Sequence, residues 1–136
     1  ASRIHQIGRQ DMGKKQVTAT RAPAPSGAYS HGISAGEYLF LSGQGPYDSD
    51  GVLVDDSFAS QVRQVLANLE AVAAECGKSL ENAVRVGVYL HDLSTFDEMD
   101  AIYRDSFPEP RPARTTIETP LPGFSIEIDA VIYLGD

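Results

Sequence analysis

The chain has 136 residues, 42% of them hydrophobic and 22% charged, with a formal net charge of −8 at pH 7. That length suits one domain with one substantial core, and no apolar run approaches the length that spans a bilayer. Phosphate backbones are bound by clustered Lys and Arg, so an acidic chain is a poor nucleic-acid binder, and a cytoplasmic protein is the expectation.

Residues 1–15 carry Arg3, Arg9, Lys14 and Lys15 against Asp11, a local balance of +3 that leaves −11 on the remainder. They show no periodicity and lack the apolar middle of a signal peptide. They read as a flexible N-terminal tail, with Met12 a plausible native start, ahead of a single domain over residues 16–136. "RAPAPSGAYS" (21–30) holds two prolines and a glycine and reads as an extended loop. "HGISAG" and "EYLFLSGQG" follow as two strands around a turn at Ala35–Gly36. In "YDSDGVLV", Asp50–Gly51 signals a turn. "SGQGPY" has neither the GxGxxG spacing nor the lysine of a phosphate-binding loop.

Residues 57–76 predict a helix. Phe58, Val62, Val65, Leu66, Leu69, Val72 and Ala73 fall on one stripe at helical period. Asp55 or Asp56 can cap its start, and Gly77 suits the left-handed position after its end. Cys76 is the only cysteine, which excludes an intrachain disulfide; it reads as a buried structural thiol. No second Cys and no His-x-x-x-His spacing points to zinc. Valine-rich "AVRVGVYLHDL" (83–93) reads as a strand. Ser94 then opens a second helix, with Asp97 completing an approximate capping box. Phe96, Met99, Tyr103 and Phe107 line its buried face, and Pro108 and Pro110 end it.

The element order is β-β-β-α-β-α-β-β. Two helices cannot cover both faces of such a sheet well, so the expected class is α+β with both helices on one face. The other face is left for solvent or another subunit.

The last segment, "EPRPARTTIETPLPGFSIEIDAVIY" (109–133), reads as a β-hairpin with its loop at Pro120–Gly123. This register sets Arg114 opposite Asp129 and Thr116 opposite Glu127. Arg114, Thr116, Glu118, Ser125, Glu127 and Asp129 then share a polar face, while Ile117, Phe124, Ile126, Ile128, Ala130, Ile132 and Leu134 share an apolar one. Pattern leaves two meanings open. Arg114–Asp129 can be a solvated cross-strand ion pair worth well under ~1 kcal/mol. Alternatively, the planar Arg114 fork recognises a carboxylate, and Glu127 beside it acts as a general acid/base.

Six segments in order carry a resemblance: "APSGAYSHG" (24–32), "LFLSGQGP" (39–46), "QVRQVLANLEAV" (61–72), "VYLHDLSTFDEMDAIYRDSF" (88–107), "RPARTTIE" (111–118) and "IEIDAVI" (126–132). Together they resemble the RidA/YjgF family from about Ala22 to Leu134. The resemblance implies a chorismate-mutase-like mixed sheet with two helices packed on one face, assembling as a trimeric barrel with sites between subunits. It implies hydrolysis of reactive 2-imino acids to 2-keto acids and ammonia, without a cofactor or metal. Arg114 matches the arginine that holds the substrate carboxylate, and Glu127 the glutamate near the attacking water. Tyr29 matches a tyrosine lining the cleft, and Gly43, with Ser42 beside it, a glycine whose backbone touches ligand. Two positions depart from the pattern. Thr116 stands where several members have Cys. Asp100 stands where many have Asn, and an acid there repels a carboxylate unless it points away or pairs. His31 reads as structural, His91 as a surface residue or one just behind the site, and the tyrosines at 47, 89, 103 and 133 as packing or interface residues. Rival expectations are an endoribonuclease that inhibits translation, a non-catalytic carboxylate-metabolite-binding protein, and a pathway-specific deaminase.

Overall fold

The structure, a computed structural model, describes residues 13–54 and 57–135. Six strands form one sheet: β1 (Lys15–Val17), β2 (Gly32–Ala35), β3 (Tyr38–Gln44), β4 (Ala83–Leu90), β5 (Ala113–Glu118) and β6 (Ile126–Tyr133). Among the described residues two α-helices, α1 (Phe58–Ala74) and α2 (Phe96–Ser106), accompany the sheet. The sheet order is β1-β2-β3-β6-β4-β5, with β4–β5 parallel and every other pair antiparallel. The class is the expected α+β. Strand β1 includes Lys15, which the sequence reading leaves in the tail, and pairs it with Ser34.

The α1 stripe behaves as its periodicity requires. Val62, Val65, Leu66, Leu69, Val72 and Ala73 are buried, and Phe58 packs against them half-buried. Their counterparts on the sheet are Leu39, Leu41, Val86, Val88, Leu90, Ile126, Ile128, Ala130 and Ile132. Burying each of the valine, leucine and isoleucine side chains contributes about 1.5–3 kcal/mol. The helix is capped by Ser57, whose side chain accepts from the Ser60 N–H at 3.0 Å. The expected caps, Asp55 and Asp56, lie outside the described residues. Gly77 takes the left-handed conformation (φ 70°), and the Lys78 N–H turns back to the Ala73 carbonyl. Cys76 is half-buried against this core, and burial raises its thiol pKa, as suits an inert group.

The start of the second helix differs from expectation. β4 ends at Leu90, and a 3₁₀ turn over Leu93–Thr95 precedes α2. Asp92, not Ser94, caps that turn by accepting from the Ser94 N–H at 2.9 Å. The Glu118 carboxylate accepts from the Leu93 N–H at 2.8 Å. No Ser94–Asp97 capping box forms, because Ser94 is spent inside the turn and Thr95 holds the cap position. The buried face of α2 is as expected: Met99, Tyr103 and Phe107 are buried, and Phe96 packs against the core.

The hairpin expectation is overturned. β5 and β6 are not neighbours, because β4 lies between them. β5 pairs with β4 in register Val86↔Arg114, Val88↔Thr116 and Leu90↔Glu118, while β6 pairs with β4 as Val86↔Ala130, Val88↔Ile128 and Leu90↔Ile126. Residues opposite each other in a ladder share a face. Arg114, Thr116 and Glu118 therefore lie on the helix-covered face with Val86, Val88 and Leu90. Glu127 and Asp129 lie on the open face with Gly87, Tyr89 and Ile117, which is 45% exposed. Asp129 does not meet Arg114: it accepts from the Gly87 N–H at 3.1 Å and the Tyr89 hydroxyl at 2.9 Å.

Candidate functional site

The sequence-derived site residues fall into two groups, one on each face of the sheet. The first is built where the edge strand β5 meets α2. Phe96, Asp100 and Tyr103 project from one side of α2, at i, i+4 and i+7. Arg114 reaches them from β5. Its Nη1 donates to Asp100 Oδ1 at 2.8 Å, and its guanidinium lies over the Tyr103 ring at 4.5 Å and the Phe96 ring at 5.3 Å. Such stacking holds an arginine plane at one orientation while its in-plane N–H groups stay available. Asp100 has a second partner: its Oδ2 accepts from Arg104 Nη2 at 3.1 Å. The hydrogen bond from Arg114, reinforced by Arg104, holds the Asp100 carboxyl below the usual carboxylate range.

A cavity of about 390 Å³ opens here, lined by Asp100, Tyr103, Arg104, Arg111, Pro112 and Arg114. Two hydroxyls on this side, Tyr103 Oη and Thr116 Oγ1, are buried without a hydrogen-bond partner among the described residues. Burial pushes the Tyr103 hydroxyl pKa up, with the nearby Arg114 opposing. Thr116 follows Arg114 by two residues on β5 and so faces the same way.

The second group surrounds a bulge in β3. The β3–β6 register shifts between Leu41 and Gln44, placing Ser42 and Gly43 out of the regular ladder. The Glu127 carboxylate lies against Gly43 so closely that a Cβ there would collide with it. Burial, then the neighbouring Asp129 charge, raises the Glu127 pKa above the usual carboxylate value. Tyr29 and Tyr47 complete a cavity of about 400 Å³ with Gly43, Phe124 and Glu127. The Tyr29 hydroxyl accepts from the Ser26 N–H at 3.1 Å, which folds the loop around it. Ser42 is not a free hydroxyl: its Oγ donates to the Ser30 carbonyl at 2.6 Å.

His31 is structural. Its Nδ1 accepts from the Ala19 N–H at 3.0 Å, which leaves Nε2 to donate to the Pro23 carbonyl at 2.7 Å. His91 Nδ1 likewise accepts from the Leu121 N–H and ties down the loop after β5.

Two supporting residues escaped the sequence reading. Arg104 shares Asp100 with Arg114, and its signal is the i, i+4 spacing from Asp100. Asn68 is buried in α1 and donates to the Gly45 and Tyr47 carbonyls at 3.2 and 2.8 Å, while Gln64 donates to its Oδ1. It thereby fixes the loop that carries Tyr47 into the second cavity. Its signal is a polar residue bordering the apolar stripe, three residues after Val65 and four before Val72. Among the described residues, no cluster of three or more His, Cys, Asp or Glu could hold a metal ion. No helix among them is long and apolar enough to cross a membrane.

Comparison with known proteins places this geometry in a family. The family model described as Endoribonuclease L-PSP matches residues 19–134. A RutC family protein of Pyrococcus horikoshii is 40% identical over 123 residues, covering 88% of this chain and 98% of its own length. The crystal structure of yeast Mmf1, 30% identical, superposes with a TM-score of 0.85 over 90% of this chain and 99% of that one; the Saccharomyces cerevisiae Mmf1 is named as mitochondrial. The crystal structure of RidA from an Antarctic Psychrobacter species, 30% identical, gives a TM-score of 0.82 over 88% of this chain and 98% of that one. By its fold, by the residues matched and by these relatives, the chain belongs to the RidA/YjgF family, the family of Endoribonuclease L-PSP.

Proposed function

We propose that the protein hydrolyses reactive 2-imino acids to 2-keto acids and ammonia. The observation that carries this reading is the stacked Arg114 guanidinium, held against Tyr103 and presented into a cavity rich in arginine. A planar cation in that setting suits a small carboxylate, and a charge-assisted contact of this kind contributes roughly 1.5–3 kcal/mol. Clamping the carboxylate also orients the imine carbon for attack, which lowers the entropic part of the barrier.

Glu127 supplies the acid/base step. A carboxylate with a raised pKa accepts a proton from water more readily and returns it to the leaving nitrogen. Water adds its oxygen to the imine carbon, the C–O bond becomes C=O as the C=N bond is lost in two stages, and both water protons pass to the nitrogen, which leaves as ammonia.

Arg114 and Glu127 lie on opposite faces of one sheet, so a single chain holds two half-sites. A complete site needs Arg114 from one copy and Glu127, Tyr29 and Gly43 from another. The open sheet face supports such assembly, since Tyr38, Phe40 and Ile117 stand there 41%, 48% and 45% exposed. The assembly proposed is the trimer with three shared sites that the family resemblance implies. The net charge of −8 disfavours RNA, the substrate suggested by the family's endoribonuclease name.

The test couples an amino-acid oxidase to the purified protein and follows the decay of several 2-imino acids. Faster decay is expected with the wild-type chain and not with Arg114→Ala. No acceleration with any imino acid overturns the reading.

A further inference from the structure

Asp100 occupies Nη1, one of the donors through which Arg114 can hold a carboxylate. Its Oδ1 lies 2.8 Å from Arg114 Nη1, and its Oδ2 lies 3.1 Å from Arg104 Nη2. The two contacts differ in kind. Asp100 and Arg104 sit one turn apart on α2, so helix geometry keeps them together whatever happens on β5. The Asp100–Arg114 contact spans helix to strand and can be exchanged. The Arg104 side chain is 63% exposed and that of Arg114 only 20%, so water weakens the first contact more than the second. At rest, the carboxylate therefore leans on Arg114.

We propose that Asp100 is a tethered competitor for the carboxylate seat of Arg114, and that Arg104 retains it when a ligand carboxylate takes that seat. This rests on the reading that Arg114 holds a ligand carboxylate. The rest state has one anion between two cations. The bound state has two anions on two cations, with Asp100 shifted to Arg104 and the ligand on Arg114. Tyr103 and Phe96 hold the guanidinium plane, so both carboxylates compete within it. Asp100 stays ionised at neutral pH, since Arg114 and Arg104 lower its pKa, and so it competes throughout the working range. The consequence is a site that admits carboxylates weakly and releases a keto-acid product readily.

The test is calorimetric titration with 2-oxobutanoate, which carries the carboxylate but no imine, into the full chain and its variants. Asp100→Asn is expected to bind at least about fivefold tighter than wild type, at the low end of ordinary coupling between sites. Arg104→Gln is expected to bind several-fold weaker, because Asp100 then has only Arg114. In the Asp100→Asn background the Arg104→Gln effect should largely vanish. If Asp100→Asn does not fold, Asp100→Ala carries the same expectation. Unchanged, weaker or undetectable binding by a folded Asp100 variant overturns the proposal, and so does an Arg104→Gln effect of equal size in both backgrounds. Arg114→Ala separates the two readings: if it binds 2-oxobutanoate as wild type does, the Arg114 assignment itself falls.

Discussion

The Glu127 carboxylate lies in the space that a side chain on Gly43 would need. This contact ties the β3 bulge to β6 and fixes the carboxylate at the wall of its cavity. Gly43→Ala should push Glu127 aside and cost about 1–3 kcal/mol of stability, the usual range for overpacking. Imine hydrolysis should fall more than tenfold, the factor that each 1.4 kcal/mol of misplacement carries. Denaturant melts and the coupled oxidase assay check both.

Glu127 binds its proton more tightly in the folded chain than in the unfolded one, because burial and Asp129 disfavour its charge. Folding is therefore favoured by this group at low pH, and that contribution is lost as pH rises through the raised folded pKa. Glu127→Gln should melt at a higher temperature than wild type at pH 7, and the gain should vanish below the ordinary carboxylate range. The same variant should lose about 10²–10⁴ in turnover. The acid limb of the wild-type kcat/KM profile should titrate above an ordinary glutamate.

Arg114→Ala should abolish deamination with only about 1–2 kcal/mol lost from stability, because Asp100 keeps Arg104 as a partner. If sites are shared between copies, mixing unfolded Arg114→Ala and Glu127→Gln chains and refolding them together should restore about a quarter of wild-type activity, from sites that draw one intact residue from each parent. Activity no higher than the two parents alone would place Arg114 and Glu127 in separate functions.

Asn68→Leu should destabilise the fold by about 1–3 kcal/mol, since it leaves the Tyr47 carbonyl without its side-chain donor and the Gly45 carbonyl with the Tyr47 N–H alone. Tyr47 mobility should rise with it, read from the ring's NMR line shapes.

Ser57→Ala should cost about 0.5–2 kcal/mol, because it frees the Ser60 N–H at the start of α1. Chemical denaturation measures the loss.

Some of this was legible in the chain and some was not. The sequence by itself determined both helices, because their apolar residues recur at a spacing that only a helix turns to one side. It pointed to β2 and β3 by the turn between them, to β4 by its valines and to β6 by alternation, and its resemblance to a family carried Arg114 and Glu127 as the residues worth testing. Alternation says which residues of one strand share a face. It does not say which face, because that depends on the strand's neighbour, and neighbours are chosen by packing far along the chain. Polar Arg114, Thr116 and Glu118 looked solvent-facing. At the sheet's edge, however, the helix face is only partly covered, and there polar side chains meet α2 instead of water. Only the tertiary structure inserted β4 between β5 and β6, turned Arg114 away from Asp129 and onto Asp100, and put Arg114 and Glu127 on opposite faces. The physical reason is that a strand's ladder partners fix its orientation, and β5 gains its partners from Arg85–Leu90, 28 residues before it in the chain, instead of from β6 after it.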